Sequence, residues 1–454
     1  MKNNHSMNFE ISDKVNTDKV FLVNKSKLEG RFEPEYYIPV LRKLENKVRK
    51  QSTHKLRDFI QGIAGGATPS TTQKDKYYTN EEGFPFLRVQ NLQTNGKVNF
   101  DNLKYINEKT HNGLLKRSQV ESGDLLIKIT GVGRMAIACV APAGFSGNTN
   151  QHMVVVKTGS REVSEYLANY LNLDLVEVLA SRRATGATRP ALDYQALKSI
   201  PIIEDLDFEV IEEAYSKKIQ KEAEAKELLN SIDDYLLSEL GIELPEKDNS
   251  LANRIFKTSF QGLSGKRFDP KFFHYDKIDL GNKFSSFKLK ELVKIQKGQS
   301  LTSKEIEDGP YPVIAGGQTS PYRHDQYNQE GNVITISASG AYAGYAWYHK
   351  NPIFASDCSV ISSKKENKLN TRFLYWVLNS IQEEIYKLQQ GAAQPHVYPS
   401  DLKNIEIPLP ALDKQKEILS EVKTRNSREK KLMQEAQQEV ETARRQVEEM
   451  ILEH

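Results

Sequence analysis

RFEPEYY at Arg31 to Tyr37 and RFDPKFF at Arg267 to Phe273 place aromatics, an acid and a proline in the same order, 236 residues apart. KLRDFIQGIAGG from Lys55 is followed 233 residues later by KLKELVKIQKGQ from Lys288. LLIKITGVG (Leu125 to Gly133) matches NVITISASG (Asn332 to Gly340), and YLANYLN (Tyr166 to Asn172) matches FLYWVLN (Phe373 to Asn379), both at an offset of 207. TGATRPALDYQALKSIPI (Thr185 to Ile202) then matches QGAAQPHVYPSDLKNIEI (Gln390 to Ile407) at 205. Self-similarity spaced by about half the chain signals a duplicated domain. The offset falls from 233 to 207, so the first copy carries about 26 extra residues between Arg57 and Asp124, expected as a surface loop or hairpin.

Within each copy, LLIKI and VITIS have the short length and β-branched content of buried strands. VEVLASRR (Val176 to Arg183) and YWVLNSIQEEIYKLQQ (Tyr375 to Gln390) read as helices, so each copy is mixed α and β. Gly133 and Gly340 are expected in tight turns. After the first copy, Ile211, Tyr215, Ala225, Leu229, Ile232 and Leu236 fall along one helical stripe, interrupted by Lys218 and Glu222. After the second, Leu419, Val422, Met433, Ala436, Val440, Ala443, Val447 and Met450 form another, with Asn426 and Glu429 between. Antiparallel pairing of the two helices is the expectation, and capping of each domain by its own helix the alternative.

At 454 residues, with 38% hydrophobic and 27% charged residues, the chain has the size and composition of a globular protein of two domains. Its formal charge of +3 hides a segregation: residues 207 to 246 hold 12 Asp or Glu against 4 Lys, a net −8, leaving +11 on the remainder. A basic excess of that kind suits phosphate binding. Cys139 and Cys358 show no zinc spacing and no disulfide framework, pointing to a reducing, cytoplasmic compartment. No apolar run reaches the roughly 18 residues of a membrane span, and the polar start MKNNHSMNFE lacks a secretory core, so neither membrane insertion nor export is expected.

Motifs for catalysis are sought without success. GLSGKRF from Gly262 has the wrong spacing for a phosphate-gripping P-loop and no hydroxyl after its lysine. NPIF at Asn351 to Phe354 lacks the second proline of an adenine methyltransferase loop and reads as a turn. The ExK triplets at Glu45 and Glu366 lie in highly charged polar stretches, and the 9 histidines, His152 and His396 among them, show no ligand pattern. No catalytic residue, metal ligand or cofactor is assigned to this chain.

FLRVQNL at Phe86 to Leu92, GATRPALDYQALKSIPI at Gly186 to Ile202 and GAAQPHVYPSDLKNIEIPLP at Gly391 to Pro410 each resemble a recurrent segment of the specificity (S) subunits of type I restriction-modification enzymes. The resemblance covers nearly the whole chain in the order domain, helix, domain, helix, leaving the first thirty residues outside. It implies an α+β chain of two tandem, structurally similar target recognition domains, joined and separated by two long helices forming an antiparallel coiled coil. The corresponding boundaries are 1–30 for an N-terminal extension, 31–205 and 251–410 for the recognition domains, and 206–250 and 411–454 for the spacer helices. It further implies a non-catalytic subunit that binds double-stranded DNA, each domain reading half of a split site. The implied partners are DNA methyltransferase (M) subunits, which would hold S-adenosylmethionine, and restriction/translocase (R) subunits. The recognition subunit of an enzyme whose other chain fuses methylation and cleavage is the alternative, and a nuclease with an unrecognised site a further one. A helix from Asp207 to Leu240 would span about 50 Å at ~1.5 Å per residue, more than one duplex turn of roughly 34 Å, so the half-sites could lie on successive turns.

Base edges are best read by Arg, Lys, Asn and Gln on loops, while hydroxyls and backbone amides suit phosphates. In the first copy the candidates are Arg88, Gln90, Asn91, Lys128, Thr130, Arg134 and the run Arg182 to Arg189, with Arg182, Arg183, Thr188 and Arg189 singled out. In the second they are Gln318, Tyr322, Arg323, Ser339, Tyr342, Gln394 and His396. The repeat register sets Arg134 opposite Ala341 and Arg189 opposite Gln394, so the two half-sites are expected to differ and the whole target to be asymmetric.

Overall fold

A computed structural model of the chain describes residues 14–29, 32–80, 82–186, 188–245, 259, 278–302, 304–391 and 393–453. The opening MKNNHSMNFE, Arg31, RFDPKFF and GLSGKRF lie outside the described residues. Packing divides the chain into two units, residues 1–219 with 435–454, and residues 220–434. Both are α+β.

The first unit is built on a four-stranded antiparallel sheet in the order Gly62–Gly65, Met153–Lys157, Leu125–Lys128, Ala138–Val140. The hydrophobic runs that fill these strands bury Leu125, Ile127, Val154 and Val156 against the helices Arg161–Leu171 and Asp174–Ser181. A five-stranded sheet in the order Tyr78–Thr79, Lys104–Ile106, Phe84–Leu87, Ser146–Thr149, Gln119–Glu121 flanks it. Here Phe86 pairs with Asn148 in a parallel register.

The second unit repeats the plan. Val293–Lys297, Cys358–Ser363, Val333–Ser337 and Ala346–His349 form a four-stranded sheet with the same order and antiparallel sense. A three-stranded sheet of Arg323–His324, Tyr311–Ile314 and Phe354–Ala355 reproduces the parallel pair, Val313 beside Phe354. Even the entry is the same: Leu56 N–H donates to Ile200 O and Leu289 N–H to Ile405 O, 2.9 Å each. Asp58 and Glu291 each accept from the backbone N–H three residues earlier.

Hydrogen bonds correct the register around the central loop. Gly131 N–H donates to Pro190 O, and Gly340 N–H to Pro395 O, both at 3.0 Å, so the partner of Gly340 is Gly131, not Gly133. Ala136 and Gly344 are likewise equivalent: their N–H groups donate to Lys128 O and Ser337 O, and both have positive φ, 54° and 98°. Between these anchors the first copy has one residue more. Arg134 therefore does not stand opposite Ala341; it lies level with Tyr342 and Ala343.

Part of the extra sequence of the first copy lengthens a hairpin, since Phe84 pairs antiparallel with Ile106 where the second copy pairs Tyr311 with His324, and part of it is no surface loop. That second part leads into the edge strand Gln119–Glu121, whose antiparallel pairing the second copy keeps in the bridge of Gln329 with Ile353, and it buries Leu115 and His111. The His111 ring stacks on Phe84 at 3.7 Å, and its Nδ1 lies 2.6 Å from Asn148 Oδ1. Asn148 Nδ2 donates to Leu115 O at 2.8 Å, so the insert is fastened to the strand it flanks.

Two long helices, Glu209–Leu240 and Leu412–Glu453, contribute to both units. In the first unit Ile211 and Ala214 share a core with Val440, Ala443, Val447 and Ile451. Arg444 there donates to Thr94 O at 2.8 Å and to Tyr215 Oη. In the second unit Ile232, Leu236 and Leu240 share a core with Ile418 and Val422. Arg425 donates to Ser231 O at 2.8 Å, Arg428 meets Glu224 at 2.9 Å, and Lys414 meets Glu239 at 2.7 Å. Residue numbers rise on one helix as they fall on the other, so the pairing is antiparallel. Each helix also packs on the core of an α+β unit, so capping and pairing occur together. The stripes need three corrections: Leu229, Met433 and Met450 are exposed, and Ile451 takes the buried position expected of Met450. Among the described residues no helix is long and apolar enough to cross a membrane.

Candidate nucleic-acid interface

In each unit three segments converge at one end of the four-stranded sheet. In the first, Ile129 N–H donates to His152 O (2.9 Å) and Leu192 N–H to Ile129 O (2.8 Å), tying the loop after Lys128 to the turn at Asn150–His152 and to the chain beyond Pro190. Thr185 and Ala191 then exchange two backbone hydrogen bonds, at 2.9 and 2.8 Å, closing a hairpin loop. Gly186 begins that loop at φ +97°, a conformation that favours glycine, and a Cβ there would sit 3.1 Å from Arg189 O. Gly66 allows the fourth approach, since a Cβ would fall 2.2 Å from Asn150 O.

Thr188 and Arg189 are exposed at the tip of this hairpin. Arg189 Nη2 meets His152 Nε2 at 2.9 Å. Burial, and then the Arg189 charge, hold the His152 imidazole below its usual pKa, so the neutral ring accepts from the guanidinium. Gln151 lies 3.3 Å from His152 Nε2 and accepts from Thr68 Oγ1, which makes Thr68, Gln151, His152 and Arg189 a continuous polar row. Thr68 and Gln151 carry no motif of their own; only folding sets them beside Arg189. Thr130 is half-buried next to Ala191.

Several first-copy candidates face inward and are corrected here. Arg183 is fully buried, with Nη2 donating to Glu45 Oε1 (2.6 Å), Nη1 to Leu179 O (2.7 Å) and Nε to Ser199 Oγ (3.0 Å). Arg182 is buried too, paired with the other Glu45 oxygen and lying 4.3 Å from the Tyr36 ring centroid. Both guanidiniums hold the base of the hairpin rather than its surface. Burial pushes the Glu45 carboxyl up, but Arg183 and Arg182 outweigh it and leave the group below its usual pKa. Asn91 is buried, its Nδ2 donating to Asn99 O (3.0 Å) and its Oδ1 accepting from Arg88 N–H (2.9 Å). Lys128 is buried with Nζ donating to Val132 O at 2.9 Å, and burial lowers its pKa. Arg88 is engaged by Asn102 O at 2.7 Å, and Arg134 by Asp174 and Asn172 O. Gln90 is exposed.

The second unit builds the same junction with other side chains. Ala338 N–H donates to Asp357 O (3.1 Å) and Val397 N–H to Ala338 O (3.0 Å), while Gln390 and His396 exchange the hairpin bonds at 2.8 and 2.7 Å. Gly391 has φ +98°, and a Cβ would lie 2.7 Å from Gln394 O. Gln394 is exposed at the tip, and its side chain meets no partner among the described residues. Ser339 donates to the Asp357 carboxylate, and His396 stacks on Tyr398 at 6.0 Å. Gln318 is exposed and bonded to Tyr386. Tyr322, Tyr342 and Tyr398 are 58%, 46% and 43% exposed, so this surface is aromatic where the first is cationic. Arg323 is turned onto Gly309 O (3.1 Å) and Pro310 O, its own hairpin.

Residues 282–442 match the family model for the type I restriction modification DNA specificity domain. A Mycoplasma pneumoniae protein named as a type I specificity subunit is 27% identical over 135 residues, 29% of this chain and 36% of that protein. One from Mycoplasma genitalium, named likewise, is 30% identical over 137 residues, 29% of this chain and 35% of its own. The chain thus spans about a third of the length of these relatives. Among solved structures, the type I restriction-modification system S subunit from M. genitalium aligns over 87% of this chain and 94% of its own, at 14% identity and a TM-score of 0.41.

Proposed function

Since this chain belongs to the specificity-subunit family of type I restriction-modification enzymes, we propose that each of its two copies reads one half of an asymmetric bipartite site on double-stranded DNA. The observation that carries this reading is the pair of hairpin loops, Thr185–Ala191 and Gln390–His396, closed by the same bonds on the same sheet yet tipped by different side chains. One scaffold presenting two unlike polar tips is what reading two unlike sequences requires. The chain supplies the address. Methylation of a flipped adenine, and the S-adenosylmethionine it consumes, belong to a partner methyltransferase subunit in the cytoplasm, and DNA translocation and cleavage to a restriction subunit. Co-expression of the full chain with a cognate methyltransferase, followed by genome-wide mapping of methylated adenines, tests this. A split motif with unequal halves is the expected result; a perfect palindrome, or methylation without a motif, contradicts it.

A further inference from the structure

Between Gly186 and Pro190, and between Gly391 and Pro395, the two hairpin tips differ at two equivalent positions, Thr188 against Ala393 and Arg189 against Gln394, and the second difference has chemical content. Arg189 and Gln394 each stand three residues after a glycine of positive φ, Gly186 and Gly391, and one before a proline, Pro190 and Pro395, whose carbonyl accepts from the sheet loop at 3.0 Å. The backbone delivering the two side chains is therefore the same and is fixed at both ends. Phosphates are alike in every sequence, so a residue that only grips them gains nothing by differing between copies, whereas a residue that reads a base must follow the base. Arginine and glutamine are also the side chains with the sharpest bidentate preferences in the major groove, arginine for the O6 and N7 of guanine and glutamine for the N6 and N7 of adenine.

Resting on the proposed function, we propose that Arg189 and Gln394 are paired specificity-determining residues: Arg189 reads a guanine in one half-site, and Gln394 reads an adenine at the corresponding position of the other. The neutral His152 ring, accepting from Arg189 Nη2, holds the guanidinium and leaves its other nitrogens for the base edge. On the second copy no described side chain engages Gln394, whose amide is free to present both a donor and an acceptor.

The test assembles full-length wild type, Arg189→Gln, Gln394→Arg and Arg189→Lys with a cognate methyltransferase chain and selects duplexes from a library randomised in both half-sites. Both tips are exposed, so the variants should fold as the wild type does. Arg189→Gln is expected to exchange guanine for adenine at one position of one half-site, and Gln394→Arg to do the reverse in the other, each changing base preference by about tenfold or more. Arg189→Lys keeps the charge but loses the planar fork, so it should lose discrimination at that position. The inference is overturned if the wild type selects a split site while the variants keep its base preferences, or if Arg189→Gln weakens every sequence equally with a smaller salt slope while Arg189→Lys binds as the wild type does, the signature of a phosphate contact. A wild type that selects no sequence overturns the proposed function, and the pairing with it.

Discussion

The two copies share a scaffold and diverge in how they spend their polar groups. In the first, arginines are drawn inward: Arg182 and Arg183 converge on the single carboxylate of Glu45, and Arg134 is tied to Asp174, leaving Arg189 as the cation at the hairpin tip. In the second, tyrosines, glutamines and His396 occupy the surface, and the buried polar group of interest is His349, against Thr335 Oγ1 at 2.8 Å. The same fold is thus held by buried ion pairs on one side and by a neutral buried imidazole on the other. A duplicated domain can keep its strand order and loop anchors while exchanging both its buried support and the side chains at its hairpin tip.

The largest test of that contrast is Glu45→Ala. It leaves two buried guanidiniums without their counter-charge, and breaking a buried pair in this way costs about 3 to 5 kcal/mol. Both tryptophans of the chain, Trp347 and Trp376, lie in the second unit. Urea unfolding should therefore show an early far-ultraviolet circular dichroism transition with a much smaller shift in tryptophan fluorescence. Coincident, unshifted transitions would deny the first copy its ionic support.

Acid should weaken the second copy first. Burial lowers the His349 pKa to about 4 from 6.5, so the unfolded chain takes up a proton that the folded unit refuses. Stability is complete above pH 6.5, declines by up to about 3 kcal/mol as the pH falls to 4, and levels off below. Glu45 behaves differently: its carboxyl is held below the ordinary 4.5, so its contribution persists above that value and is lost only as the pH falls further. Tryptophan-monitored unfolding at pH 7 and 4.5 measures the first effect, and His349→Gln should flatten it.

A smaller effect separates the hairpins. Gly391→Ala and Gly186→Ala each force a side chain into left-handed backbone, at about 1 to 2 kcal/mol. The Gln394 carbonyl, 2.7 Å from the new Cβ, is nearer than that of Arg189 at 3.1 Å. Amide exchange at Gln390 and His396 in Gly391→Ala should accelerate more than exchange at Thr185 and Ala191 in Gly186→Ala. Equal acceleration would mean that the closer carbonyl gives way freely.

What the sequence made legible was whatever the repeat conserved locally: the strand of Leu125 to Lys128 against Val333 to Ser337, the paired hairpins, the long helices. It misplaced the central loop by two residues because TGVG holds two glycines that could each answer Gly340, and the deciding hydrogen bond, donated by Gly131 N–H, is accepted by Pro190 O, some sixty residues away. Ala136 hid the second anchor by occupying with alanine the positive-φ position that Gly344 fills in the other copy. Arg182 and Arg183 read as surface cations because Glu45 lies more than 130 residues earlier in the chain and nothing in the local pattern points to it. Met450 failed for a subtler reason: the stripe continues through Ile451, and a one-residue choice at a helix end turns on which side chain the first unit's core accepts.

The central claim is that one scaffold carries two independent reading surfaces, and the sharpest test makes them the same. A chain in which residues 288–407 replace residues 55–202, joined at the equivalent Leu56–Ile200 and Leu289–Ile405 hydrogen bonds, would present the second surface twice. Assembled with the cognate methyltransferase and mapped for methylated adenines, it should keep the second half-site of the wild-type motif and replace the first with a copy of it. Retention of the original first half-site would contradict the claim.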